Sequence, residues 1–175
     1  MEVWRGSQEG LPVVMTNPGI IIGPTVWGQG SGALFTNANR GLNYYPPGGT
    51  GFISVQDVVQ MMIQLMESSI KNERYIAVAE NLTFHEVLTR ITQELGKNPP
   101  KKKLKFWQLE VFRFDDAIWS TLTGKKRKMT KSTIRSLKNR QIFDNQKVIR
   151  DLNFEFEDLS KTLRFTAEHF LKDSL

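Results

Sequence analysis

The segment Val13 to Pro24, VVMTNPGIIIGP, constrains the fold more than any other part of the chain. Val13-Val14-Met15 is a short apolar run, read as a buried parallel strand from Leu11 to Thr16. Pro18 lacks an amide hydrogen, and Gly19 and Gly23 free the backbone to turn, so the strand is expected to stop there. Asn17 to Gly32 then reads as a long Gly- and Pro-rich loop, with Ile20-Ile21-Ile22 as its apolar wall. A backbone that leaves a sheet at a strand's C-terminal end is where open α/β sheets bind ligands.

The rest of the chain alternates helical and extended signals. Glu2 to Ser7 reads as the tail of a helix, Ala33 to Arg40 as a short helix, and Asn43-Tyr44-Tyr45 as a short strand or edge segment before the turn Pro46-Pro47-Gly48-Gly49. Ser54 and Asp57 have capping-box spacing, and Asp57 is expected to serve the start of that helix. Val55, Val58, Val59, Met62, Ile63 and Met66 recur at helical spacing and are expected to form its core face. Arg74 to Ala79 reads as a strand. Thr83 and Glu86 repeat the capping box before the apolar face Phe84, Val87, Leu88, Ile91 and Leu95, which Gly96 ends. Further helices are expected from Phe106 to Leu122, Lys131 to Asn139 and Asp158 to Leu171, the last with Leu159, Leu163, Ala167 and Phe170 inward.

Four segments, in order, carry a resemblance. They are Asn17-Pro18-Gly19-Ile20-Ile21-Ile22-Gly23-Pro24; Phe52-Ile53-Ser54-Val55-Gln56-Asp57-Val58-Val59; Arg74-Tyr75-Ile76-Ala77-Val78; and Phe143-Asp144-Asn145-Gln146-Lys147 with Leu152-Asn153-Phe154. Together they resemble the C-terminal portion of extended short-chain dehydrogenases/reductases, the NAD-dependent epimerase/dehydratases and dihydroflavonol-reductase-like enzymes. The family's Gly-rich phosphate loop and its Tyr-x-x-x-Lys pair have no counterpart here. The sequence therefore reads as the C-terminal half of a longer enzyme, with Met1 an internal or mis-assigned start.

The resemblance implies an α/β fold: the C-terminal part of a Rossmann-like doubly wound fold with a mostly helical substrate-binding subdomain. Residues 1–80 would be the remnant of the dinucleotide-binding domain, with interleaved substrate segments, and 81–175 the mainly helical substrate-binding subdomain. It further implies a full-length NAD(P)-dependent oxidoreductase, epimerase or dehydratase acting on a carbonyl or hydroxyl compound or a nucleotide sugar, the isolated fragment being inactive. Asn17, Pro18, Gly19, Ile20 and Ile21 would meet the nicotinamide of NAD or NADP. Trp27, Gln29, Gly30, Ser31, Tyr44 and Tyr45 would line the substrate side. No catalytic residue is assigned within the chain.

Composition narrows the alternatives. There is no cysteine, which excludes disulfides and thiol chemistry and fits a reducing, cytoplasmic setting. No apolar run approaches the length of a membrane span, so no membrane partner is expected. His85 and His169 have no i+4 partner suited to a metal and read as packing residues. Asp115-Asp116 cannot face one another on a helix. Residues 1–95 carry 5 Lys and Arg against 8 Asp and Glu; residues 96–175 carry 19 against 10. Lys101-Lys102-Lys103-x-Lys105 and Lys125-Lys126-Arg127-Lys128 leave open a non-enzymatic nucleic-acid-binding or protein-interaction module. Nucleic acid is not the favoured partner, because stacking aromatics do not interleave the second cluster, but the first cluster runs into Phe106-Trp107, which keeps that alternative open. An uncovered strand edge would lead to a homodimer or to association with the missing N-terminal half.

Overall fold

The computed structural model describes residues 2–111, 114 and 130–174. The first half runs α1 (Glu2–Gln8), β1 (Val14–Pro18), β2 (Ile20–Ile22), α2 (Gly32–Asn39), β3 (Tyr44–Tyr45), β4 (Gly49–Ser54) and α3 (Val55–Glu67). The second runs β5 (Glu73–Ala77), β6 (Glu80–Thr83), α4 (Phe84–Glu94), β7 (Lys102–Lys103), α5 (residues 106–111), α6 (Lys131–Lys138), α7 (Gln146–Leu152) and α8 (Leu159–Asp173). The basic run at 125–128, Asp115-Asp116 and most of the expected helix to Leu122 lie outside the described residues.

The structure corrects two expectations: the strand runs from Val14 to Pro18 rather than from Leu11 to Thr16 and is half-buried rather than buried, and the segment from Asn17 to Ile22, expected as loop, is largely paired. β1 pairs in parallel with β5, from Val14 opposite Glu73 to Pro18 opposite Ala77. The chain then changes partner: Ile20, Ile21 and Ile22 form β2, parallel to Phe52, Ile53 and Ser54 of β4. β4 also pairs antiparallel with β6. Gly19 makes the crossing. Its amide donates to the Ala77 carbonyl at 3.0 Å, and a Cβ there would lie 2.3 Å from the Gly51 carbonyl oxygen. Proline ends one ladder and glycine permits the close approach that starts the next.

Successive side chains on a strand point to opposite faces. Ile22 and Phe52 enter one core with Phe35, Leu82, Ile91, Leu163 and Phe170, and Ile20 packs against it. Ile53 enters a second core with Met61, Leu65, Tyr75, Val148 and Phe154, and Ile21 packs against that one. The sheet β2-β4-β6 thus separates two cores, each drawing on residues from both sides of position 80. Each such side chain contributes about 1.5–3 kcal/mol by burial.

α4 forms as its sequence dictates. Thr83 and Glu86 complete both bonds of the capping box, all five expected apolar residues are buried, and Gly96 has φ +65°. The bonds Lys97 N to Thr92 O and Gly96 N to Gln93 O close a Schellman motif. α8 also buries Leu159, Leu163, Ala167 and Phe170.

α3 starts as expected, with the Ser54 hydroxyl accepting from the Asp57 amide at 2.9 Å. Its buried face, however, is Asp57, Val58, Met61 and Leu65. Of the expected core stripe, only Val58 is buried; Val55, Val59, Met62 and Ile63 are exposed and Met66 is 83% exposed. The helix is apolar around most of its circumference, so periodicity allows either stripe to face inward. The sheet takes the one containing Met61.

Candidate cofactor and substrate site

The C-terminal end of β1 presents Asn17 and Pro18 to solvent, while Gly19, Ile20 and Ile21 are half-buried where the chain crosses between sheets. The Gly19 amide is already committed to Ala77, so it offers no donor to a ligand. The polar group left at this exposed strand end is the Asn17 side chain. Among the described residues β1 pairs only with β5, leaving its other edge open. A groove of about 350 Å³ runs beside Val14 and Thr16, lined also by Pro12, Met62, Leu65 and Met66.

Beyond β2 the chain turns back over α2. Trp27 fixes this loop. Its indole donates to the Asp173 carboxylate at 2.9 Å, its carbonyl accepts from the Thr36 hydroxyl, and its ring meets Phe170 edge-on at 5.1 Å. A Cβ on Gly32 would come within 2.7 Å of the Val26 carbonyl oxygen, so the loop lies directly against the start of α2.

A cleft of about 940 Å³ opens beside this loop, lined by Trp27, Gln29, Gly30, Arg40, Thr133 and Leu137, among others. Three expected substrate-side residues, Trp27, Gln29 and Gly30, are therefore brought together. Ser31 is the N-cap of α2, without a side-chain capping bond. Tyr44 and Tyr45 lie apart, on β3. Lys102 Nζ sits 5.8 Å from the Tyr44 ring centroid, and Tyr45 packs on His85 at 4.2 Å. Arg40 and Thr133 escaped the sequence reading. Thr36 and Arg40, one turn apart on α2, were the available signal; Thr133 reaches the cleft only because α6 folds across.

The motif Phe143 to Lys147 clamps the sheet. Asn81 donates to the Phe143 carbonyl and accepts from the Phe143 amide, both at 2.9 Å. The Asn145 amide group donates to the Val78 carbonyl at 2.8 Å, and Lys147 pairs with Glu73 while lying 4.8 Å from the Tyr75 ring centroid. The Tyr75 hydroxyl donates to Asp151 at 3.0 Å; burial, then that bond, push its pKa up to about 12. Asp57 does more than start α3. Its buried carboxylate accepts from the Glu157 amide at 3.2 and 3.3 Å, and burial raises its pKa against the lowering effect of that bond. These are structural groups. His85 and His169 also pack as expected, the latter with Nδ1 2.9 Å from the Phe165 carbonyl oxygen. Among the described residues no cluster of His, Asp and Glu could hold a metal.

No protein-family model matches the chain. Sterol demethylase protein B of Methylococcus capsulatus is 27% identical over 97 residues, covering 53% of this chain and 29% of that protein. The solved structure of gox2253 superposes with a TM-score of 0.78 at 22% identity, covering 98% of this chain and 53% of the other. A nucleoside-diphosphate-sugar epimerase from Pseudomonas aeruginosa gives 0.77 at 21%, covering 98% and 52%. The dTDP-glucose 4,6-dehydratase DesIV of Streptomyces venezuelae, with NAD and DAU bound, gives 0.66 at 16%, covering 98% and 48%. The chain shares its α/β fold with the C-terminal part of these epimerase and dehydratase structures. The chain spans about half the length of these solved structures and less than a third of the curated relative.

Proposed function

We propose that this chain supplies the C-terminal half of a nicotinamide-dependent oxidoreductase, epimerase or dehydratase, and acts only when joined to a half carrying the phosphate loop and the Tyr-x-x-x-Lys pair. The observation that carries this reading is the open edge of β1. Among the described residues a parallel strand with one partner stands beside an apolar groove and the exposed stripe of α3, and the solved neighbours are about twice as long as this chain. On this reading Asn17 and Pro18 approach the nicotinamide, and the half-exposed surfaces of Ile20 and Ile21 keep water from one side of it. The bound cofactor supplies hydride transfer. This chain's residues bind and orient.

The Trp27 cleft is assigned to the substrate. Trp27 and Leu137 give it apolar walls; Gln29 and the exposed cation Arg40 give it donors suited to a hydroxylated or anionic compound. A nucleotide sugar, as the names of the epimerase and the dehydratase indicate for those proteins, fits this description.

Titration with NADH, followed by fluorescence, tests the reading. The chain alone is expected to bind no tighter than millimolar, and the chain joined to the coding sequence directly upstream to bind in the micromolar range. Micromolar binding by the chain alone, or none by the joined protein, overturns it.

A further inference from the structure

α5 is apolar on two sides. Leu109 is buried beneath it, while Trp107 and Val111, one turn apart, share the outward face and are 63% and 45% exposed. Phe106 extends this face and is 60% exposed, with Lys138 Nζ 5.5 Å from its ring centroid. The surroundings are strongly basic. Lys101, Lys102, Lys103 and Lys105, all exposed, lead directly into the helix. α6 lies alongside, joined by the 2.9 Å bond from Lys138 to Glu110, and carries exposed Lys131 and Arg135. Across residues 96–111 and 130–140 the sequence holds nine Lys and Arg and one acid, Glu110, which Lys138 neutralises.

From this juxtaposition we infer that the α5 face docks on the surface of a bilayer containing anionic lipid, with Trp107 and Val111 entering the headgroup boundary and the flanking lysines meeting lipid phosphate and carboxylate groups. Amphipathic helices that combine aromatic and aliphatic side chains with adjacent lysines bind membranes in this way, without spanning them. The sequence-based expectation of no membrane partner considered spans, and surface docking needs only one helix face. Charge complementarity selects the anionic surface. Val111 argues against single-stranded nucleic acid, whose bases stack on flat rings in a basic groove rather than on an aliphatic branch. The inference is independent of the proposed enzymatic role.

Co-sedimentation of the full chain with vesicles tests it, comparing pure phosphatidylcholine with phosphatidylcholine containing one-third phosphatidylserine. Binding to the mixed vesicles is expected to exceed binding to the pure ones by roughly tenfold or more, and to weaken about fivefold for each of Lys101, Lys102, Lys103 and Lys105 changed to glutamine. The double variant Trp107→Ser/Val111→Ser, altered only at exposed positions, is expected to bind about tenfold more weakly with an unchanged melting temperature. In the unaltered protein, brominated lipid is expected to quench a component of tryptophan fluorescence that Trp107→Phe removes while vesicle binding persists. Absence of binding at millimolar lipid, equal binding to both vesicle types, or no Trp107-dependent quenching overturns the proposal. So does a single-stranded oligonucleotide that binds more tightly than the mixed vesicles and loses affinity in the same serine variant.

Discussion

Gly19 and Gly51 lie back to back, so close that a Cβ on the first would sit 2.3 Å from the carbonyl oxygen of the second. The contact is with backbone, which cannot swing aside as a side chain would. Gly19→Ala is therefore expected to cost about 3 kcal/mol through forced displacement of β4. Gly28→Ala, where a Cβ meets nothing within 4 Å, is expected to stay within about 0.5 kcal/mol. Urea denaturation of the two variants separates these outcomes.

Met61 and Met62 are neighbours on α3 with opposite fates. Met61 is fully buried in the second core; Met62 faces the groove beside β1. Met61→Ala is expected to cost about 2–5 kcal/mol by leaving a cavity, and Met62→Ala about 0.5 kcal/mol or less. Equal losses on denaturation would mean that the helix is rotated from the orientation described.

Tyr75 makes stability fall in alkali. Its pKa rises on folding from 10.0 to about 12, so the folded state favours the neutral phenol. The contribution is fully present below pH 10 and lost as pH rises through about 12. Melting temperature against pH is expected to drop over this window in the native sequence, and less steeply in Tyr75→Phe.

Asp57 acts at the acid end with the same sign. Burial raises its pKa above 3.8, so the ionised form weakens the fold and the protonated form relieves that cost. Its contribution is present below 3.8 and lost as pH rises through the folded value. Asp57→Asn removes the charge and keeps an acceptor for the Glu157 amide. The melting temperature of the native sequence, measured relative to this variant, is expected to rise as pH is lowered from neutral toward 3.8.

Local signals announced α4 completely, because cap, apolar face and stop all lie within one helix and agree, whereas α8 was legible in its start and buried face and runs past the expected Leu171 to Asp173. α3 was legible in its start and not in its orientation, since two apolar stripes compete and only the sheet decides between them. β6, Glu-Asn-Leu-Thr, has one large apolar residue and owes its existence to pairing with β4; β7 is two lysines held against β3. Ile20 to Ile22 looked like a loop because proline and glycine precede them, yet those residues mark a change of partner rather than the end of pairing. Within the candidate site, Trp27, Gln29 and Gly30 are adjacent in sequence and emerged together. Arg40 and Thr133 meet only through the packing of α2 and α6 around them.

The alternation of Ile20, Ile21 and Ile22 between two cores fixes the spacing of this segment more tightly than its chemistry. Exchanging isoleucine for valine or leucine keeps each side chain on its own face of the sheet. Deleting or inserting a single residue between Gly19 and Gly23 would reverse every assignment at once, turning two side chains out of the first core and sending a third into it.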